Sequence, residues 1–180
     1  MNESQKVYTN SEIQSILNGL DVSTLTRENV IKVALSLVGK VEYFWGGKSE
    51  AGWNPEWGKT KLVTAPGSKQ STGKYKPYGL DCSGYTSWVY LTAGYTENIG
   101  VGTYAQIHNS YPISNSELKP GDLVFKQLNS TSGINHVGIF FKRENGVNYY
   151  IHCTSGKGVV VNSYSKFKYF RRLFIKYADG

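Results

Sequence analysis

The stretch Gly79-Leu80-Asp81-Cys82-Ser83-Gly84-Tyr85 constrains this chain more than any other. A glycine-bounded turn runs straight into a run with helical spacing. Asp81 is a good N-cap, because its carboxylate can accept from the free N–H groups of a helix start. Cys82, Tyr85, Thr86, Val89, Tyr90 and Ala93 predict an amphipathic helix with one mostly apolar face. Gly94 is placed to end it. Cys82 then lies at the positive end of a helix dipole, where a thiolate is stabilised and a cysteine pKa falls. The competing reading is a small buried hydrophobe, since free cysteine is among the most buried residue types.

The 180 residues are enough for one domain with a real core and no disulfide staples. Two cysteines, Cys82 and Cys153, exclude a disulfide-dense scaffold. Fourteen Tyr, seven Phe, four Trp and twenty Gly suggest a loop-rich protein with an exposed ligand groove. The net charge of +7 favours an anionic partner such as nucleic acid, a membrane surface or a wall polymer. The tightest basic cluster, Lys166, Lys168, Arg171, Arg172 and Lys176, reads as a solvated face. None of the nucleic-acid motifs is present, so nucleic acid is not an expected partner. No apolar run reaches the length of a membrane span, so stable membrane insertion is not expected either. Residues 1–20 lack the apolar core of a signal peptide, which is consistent with a mature form or an excised domain.

In chain order, residues 1–10 are polar and expected to be loose. Short helices are expected over Ser11–Asn18, closed by Gly19, and from an N-cap at Thr26 to Gly39, with a core face of Val30, Val33, Ala34, Leu37 and Val38. Tyr43-Phe44-Trp45-Gly46-Gly47 suggests a tight turn, or a backbone that a ligand must approach closely. Residues 48–79 read as a long irregular loop with at most short strands. Such loops are often functional, and Trp53 and Trp57 point to a groove wall. After the Cys82 helix another is expected over Thr103–Ser110. Strands follow at Leu123–Lys126, His136–Lys142, Asn148–Thr154, Gly158–Asn162 and Tyr169–Tyr177. Helices first and an antiparallel meander afterwards is an α+β order.

Two of the three histidines fall into one pattern. Arg143 to Val147 reads as a hairpin turn with Gly146 left-handed. If Arg143 pairs with Val147, His136 faces Thr154 and His152 faces Gly138. Both histidines then leave the same sheet face as diagonal neighbours, with Cα atoms about 7–8 Å apart. Cys153 points to the opposite face with Ile151. A cysteine nucleophile needs a base, and the base needs an orienting group. Cys82, His136 and His152 can fill those roles in that order. Zinc on Cys82, His136, His152 and Cys153 is the strongest competitor. However, adjacent His152 and Cys153 point to opposite faces, and the same argument opposes a Cys82–Cys153 disulfide. No metal or other cofactor is expected. His108 has no evident partner and reads as a surface or satisfied core histidine.

Five segments in this order resemble the NlpC/P60 cysteine peptidases of bacterial cell walls: Tyr43–Gly47, Asp81-Cys82-Ser83-Gly84, Leu118–Phe125, His136-Val137-Gly138-Ile139, and His152. The resemblance spans about residues 30–165. It implies a papain-like α+β fold, with the cysteine opening a helix packed on a central antiparallel sheet. It also implies a cysteine endopeptidase that cuts peptidoglycan stem peptides between D-γ-glutamate and a diamino acid, meso-diaminopimelate or L-Lys. Carried over, Cys82 is the nucleophile, His136 the base and His152 the third polar residue. Tyr43 matches a tyrosine that helps hold substrate or the oxyanion, and Trp45 of the same motif is expected beside substrate with it. Asp81 and Ser83 match positions that bind a free stem-peptide amine in some members. The implied partners are peptidoglycan or muropeptides, the implied location is extracellular or cell-wall associated, and a monomer is expected. Residues 26–180 would form the catalytic domain, with an insertion at 48–79, and residues 1–25 a polar, helical extension. An amidase acting on N-acetylmuramoyl-L-alanine, an acyltransferase or a non-catalytic wall-binding module on the same fold stays open.

Overall fold

The computed structural model describes residues 5–128 and 135–180; the first four residues of the polar N-terminus and residues 129–134 lie outside them. Among the described residues four α-helices are α1 (Asn10–Asn18), α2 (Arg27–Ser36), α3 (Cys82–Thr92) and α4 (Gly102–His108). Eight strands among the same residues are β1 (Thr60–Leu62), β2 (Tyr75–Pro77), β3 (Ser110–Ile113), β4 (Leu123–Phe125), β5 (Val137–Glu144), β6 (Val147–Thr154), β7 (Gly158–Asn162) and β8 (Tyr169–Leu173). β1 and β2 form a separate hairpin within residues 48–79. The other six form an antiparallel sheet in the order β3-β8-β4-β5-β6-β7. This is the α+β architecture expected from the sequence.

The helix starts follow local chemistry. Thr9 and Glu12 form a reciprocal capping box on α1. The Thr26 hydroxyl caps α2 through the Asn29 N–H at 3.0 Å. Asp81 caps α3 through the Gly84 N–H at 2.6 Å. Gly94, with φ of 113°, turns the chain away from its end. α3 departs from the amphipathic expectation, because Ser83 through Tyr90 are all buried. One side packs on β5 and β6, another on α2. The side expected to face solvent is covered by the loop of residues 48–79. The Trp88 indole donates to the Gly52 carbonyl at 2.7 Å, and Trp57 and Trp53 stack outward from it edge to face. Those tryptophans therefore close the core, and Trp53 also lines a hollow beside α1.

The sheet differs from a simple meander at one end, beyond β4. β8 follows β7 in sequence but crosses to pair with β4 and β3. The helix expected to reach Ser110 stops at His108, and Ser110 opens β3, an edge strand that tolerates Pro112. Side-chain ions hold β8 in its place. Asp122, fully buried, accepts from Arg172 at 2.8 and 3.0 Å and from Arg27 of α2 at 3.0 Å. Arg171 donates to Ser110. Two members of the basic cluster are therefore tied into the fold and do not form a free solvated face.

The β5–β6 hairpin closes one residue tighter than expected. Glu144 pairs with Val147 around Asn145 and Gly146, both with positive φ, the signature of a two-residue turn. An irregularity between Phe140 and Lys142 then restores the expected pairing, so Ile139 faces Ile151. The two departures cancel before the histidines are reached. Val137, Ile139, Ile151 and Cys153 face the main core under α3. Val124, Phe140 and Tyr150 face a second, smaller cluster around Phe167.

Asp122→Ala would leave two guanidinium groups without their shared counter-charge. It is expected to lower the unfolding free energy by about 3–5 kcal/mol, measured by urea denaturation near neutral pH.

Candidate active site

The two glycine motifs meet at the start of α3. Tyr43 and Leu80 form a parallel bridge, the Phe44 N–H donates to Leu80 O at 3.0 Å, and the Asp81 N–H donates to Gly47 O at 3.0 Å. A Cβ on Gly47 would collide with the Gly79 carbonyl, and one on Gly84 with the Gly47 carbonyl. The close approach inferred for Gly46-Gly47 is thus made by the chain's own backbone, not by a ligand. It presses Tyr43 and Trp45 against the helix N-terminus. The Trp45 indole is held by the Pro66 carbonyl of the 48–79 loop at 2.9 Å.

A cleft of about 680 Å³ opens there. It lies at the end of the sheet where β4 stops, β5 begins and β6 ends. Cys82, His136, Tyr43, Trp45, Asp81 and Ser83 all line it. The 48–79 loop adds Lys48, Ser68, Gln70 and Ser71. His152 stands behind His136 and is almost fully buried.

The imidazoles are connected in series. His136 Nε2 and His152 Nδ1 are 2.7 Å apart, and His152 Nε2 and Asn162 Oδ1 are 2.7 Å apart. The Tyr164 backbone N–H, which can only donate, also reaches Asn162 Oδ1 at 3.2 Å. That contact identifies the atom as the amide oxygen. His152 must therefore carry its proton on Nε2, leaving Nδ1 to accept from His136 Nε2–H. The remaining lone pair of His136 is on Nδ1, away from His152. Phe167 stacks on His136 with centroids 5.3 Å apart, and Tyr164 on His152 at 5.6 Å.

Asn162 is a site residue that the sequence pattern does not single out. Its signal is the β6–β7 register, which pairs it with Tyr150 and so puts it on the same face as His152. The sequence contains nothing that sets that register alone.

The electrostatics correct one expectation. Burial pushes the Cys82 thiol up to about 12, and the Asp81 carboxylate adds to the rise. The backbone N–H groups of Val137 and Ser83 and the Lys48 ammonium oppose it without prevailing. The helix terminus does favour the thiolate, but desolvation and the cap's own negative charge outweigh it. Burial also lowers His136 to about 3, reinforced by His152 and Lys126. Burial lowers His152 to about 4 against the opposing bond to Asn162. The resting site therefore holds a neutral thiol and neutral imidazoles. The Tyr43 phenol is pushed up by burial and by Cys82 and Asp81, so it stays a proton donor.

Cys153 is buried on the core face, its thiol donating to Leu80 O at 3.1 Å. That position separates it from the histidine face. Among the described residues no group of three or more His, Cys, Asp or Glu side chains could hold a metal ion. His108 is exposed and contacts the Tyr104 carbonyl through Nδ1 at 2.9 Å.

The buried neutral histidines make stability pH-dependent. Between about pH 4 and 6.5 the unfolded chain binds protons at His136 and His152 that the folded chain does not. Stability is therefore full above pH 6.5 and falls on acidification. Urea titrations at pH 7 and pH 5 are expected to differ by about 2–4 kcal/mol, and a His136→Asn, His152→Gln double variant should flatten the difference.

The family model described as the NlpC/P60 family matches residues 39–177. The chain is 30% identical to the peptidoglycan DL-endopeptidase CwlO of Bacillus licheniformis over 147 residues, covering 82% of this chain and 26% of that protein. It is 29% identical to the probable endopeptidase NlpC homolog of Haemophilus influenzae over 175 residues, covering 94% of this chain and 81% of that one. Among solved structures it resembles the NlpC/p60 domain of the peptidoglycan hydrolase SagA, with TM-score 0.55, 28% identity, and coverage of 82% of this chain and 98% of that one. The fold is also that of RipB from Mycobacterium tuberculosis, with TM-score 0.57 at 21% identity, covering 94% of this chain and 70% of that one. The matched segment takes in both glycine motifs, the cysteine at the start of α3 and the histidine pair, and the chain belongs to the NlpC/P60 family.

Proposed function

We propose that this chain is a cysteine endopeptidase that hydrolyses peptidoglycan stem peptides between D-γ-glutamate and a diamino acid. The observation that carries the reading is the combination, in one cleft, of a helix-opening cysteine with an imidazole whose Nε2 is held by a second imidazole. In this reading Cys82 is the nucleophile, His136 the general base and His152 the orienting group, with Asn162 behind it. Tyr43, Trp45, Asp81 and Ser83 form the substrate-binding wall. Residues 26–180 are the catalytic unit, 48–79 its insertion and 1–25 an extension. The substrate side of the proposal draws on the relatives, whose names describe peptidoglycan endopeptidases. A site of action outside the cell or at the wall belongs to the same proposal.

The chemistry follows from the neutral resting pair. As Sγ attacks the isopeptide carbonyl, His136 Nδ1 takes the thiol proton. His136 Nε2–H remains bonded to His152, which stabilises the imidazolium that forms. The carbonyl electrons move to oxygen. The backbone N–H of Cys82 and the protonated Tyr43 phenol are suited to receive that oxyanion. Collapse breaks the C–N bond, and His136 returns the proton to the departing amine. Water, deprotonated by His136, then attacks the thioester; Cys82 leaves as thiolate and regains its proton.

Mass spectrometry of defined muropeptides tests this. A fragment ending in D-γ-glutamate is expected with the native chain and absent with Cys82→Ala, whose fold should persist by circular dichroism. Intact muropeptides with the native chain, or cleavage undiminished in Cys82→Ala, would overturn the reading. Activity is expected to fall at least about a thousandfold in Cys82→Ala, nearly as far in His136→Ala, and roughly ten- to hundredfold in His152→Ala.

A further inference from the structure

The cleft carries an unusual charge balance. Among the described residues that line it, Asp81 is the single carboxylate, while Lys48 and Lys126 are both cationic and His136 is neutral. Asp81 is already engaged. Its Oδ1 accepts from the Gly84 N–H at 2.6 Å and the Ser83 hydroxyl at 3.3 Å. Lys48 Nζ lies 3.1 Å from Oδ2 and 3.4 Å from Oδ1. Lys48 opens the insertion, directly after the packed Gly46-Gly47, and its carbonyl accepts from the Tyr78 hydroxyl at 3.2 Å, near the insertion's other end. The insertion thus brings its own ammonium to the carboxylate next to the cysteine.

We propose that Lys48 is a specificity residue that occupies Asp81 and excludes substrates bearing a free N-terminal ammonium, so that the cleft takes N-blocked stem peptides. The inference rests on the endopeptidase reading. In that reading the acyl segment held by Cys82 is L-alanyl-γ-D-glutamyl. Fully extended, two residues of which one is γ-linked reach roughly 10 Å from the scissile carbonyl, so the segment's N-terminus can fall within range of Asp81, the residue that precedes Cys82. A free ammonium there must displace Lys48 or sit beside it as a like charge. An amide-linked N-terminus, as in a stem still joined to its glycan, meets neither penalty. Discrimination here comes from a repulsive element as much as from an attractive one.

The test compares one L-alanyl-γ-D-glutamyl-diamino-acid peptide with a free amine and the same peptide N-acetylated. With the native chain, kcat/KM is expected to favour the acetylated peptide by about tenfold or more, and Lys48→Met should shift that ratio by about tenfold toward the free amine. A native preference for the free amine, or a ratio that Lys48→Met moves by less than about twofold, would overturn the proposal. Calorimetric titration of both peptides into Cys82→Ala, with and without Lys48→Met, reads the same ratio without turnover. Binding in the expected ratio with neither peptide cut by the native chain would refute the endopeptidase reading and uphold the role of Lys48. Cleavage with an unmoved ratio would do the reverse.

Discussion

The capping of α3 by Asp81 is the interaction on which the site depends. One carboxylate caps the start of a helix that is buried on almost every side, receives Lys48 from the 48–79 loop and adds its charge beside Cys82. It is possible only because Gly47 and Gly84 let two backbone segments touch without a Cβ between them. The surroundings that position the cysteine also raise its thiol, burial first and the Asp81 charge second. The thiol is consequently held protonated at rest, and the imidazole beside it is held neutral. In the proposed mechanism such a neutral pair generates the thiolate as the proton moves to His136, which would tie formation of the nucleophile to its use.

The opposite half of the site is built by the sheet. One face of β5 and β6 closes the main core beneath α3, and the other carries the histidines into a small aromatic cluster. Phe167 and Tyr164 pack on the two rings and help to bury His152, and the amide of Asn162 decides which nitrogen carries each proton. Burial and tautomer are thus set by Phe167 and Asn162 behind the cleft and by Tyr164 in its wall. The loop of residues 48–79 divides its labour in a similar way: Trp53 and Trp57 complete the core over Trp88, while Lys48, Ser68, Gln70 and Ser71 supply a polar wall.

Much of this is legible in the residues alone. The α3 cap, the strand limits of β4 to β7 and the common face of His136 and His152 follow from nearest-neighbour rules, which act over a few residues. The histidine register shows how narrow that legibility is. The sequence pattern suggests a turn one residue longer than the folded one, and a compensating irregularity near Phe141 brings the pairing back before Gly138.

The sequence by itself determined the local elements, the cysteine at a helix start and the alternation that separates His152 from Cys153, because caps, turns and the two-residue period of a strand are local physics. Only the tertiary structure decided the placement of β8 beside β4, the burial that raises the Cys82 thiol, the return of Asn162 to His152 and the approach of Lys48 to Asp81. Each of those joins residues distant in the chain, or sums desolvation over many neighbours. Pairing and burial of that kind depend on which surfaces meet, and no short stretch of sequence encodes that.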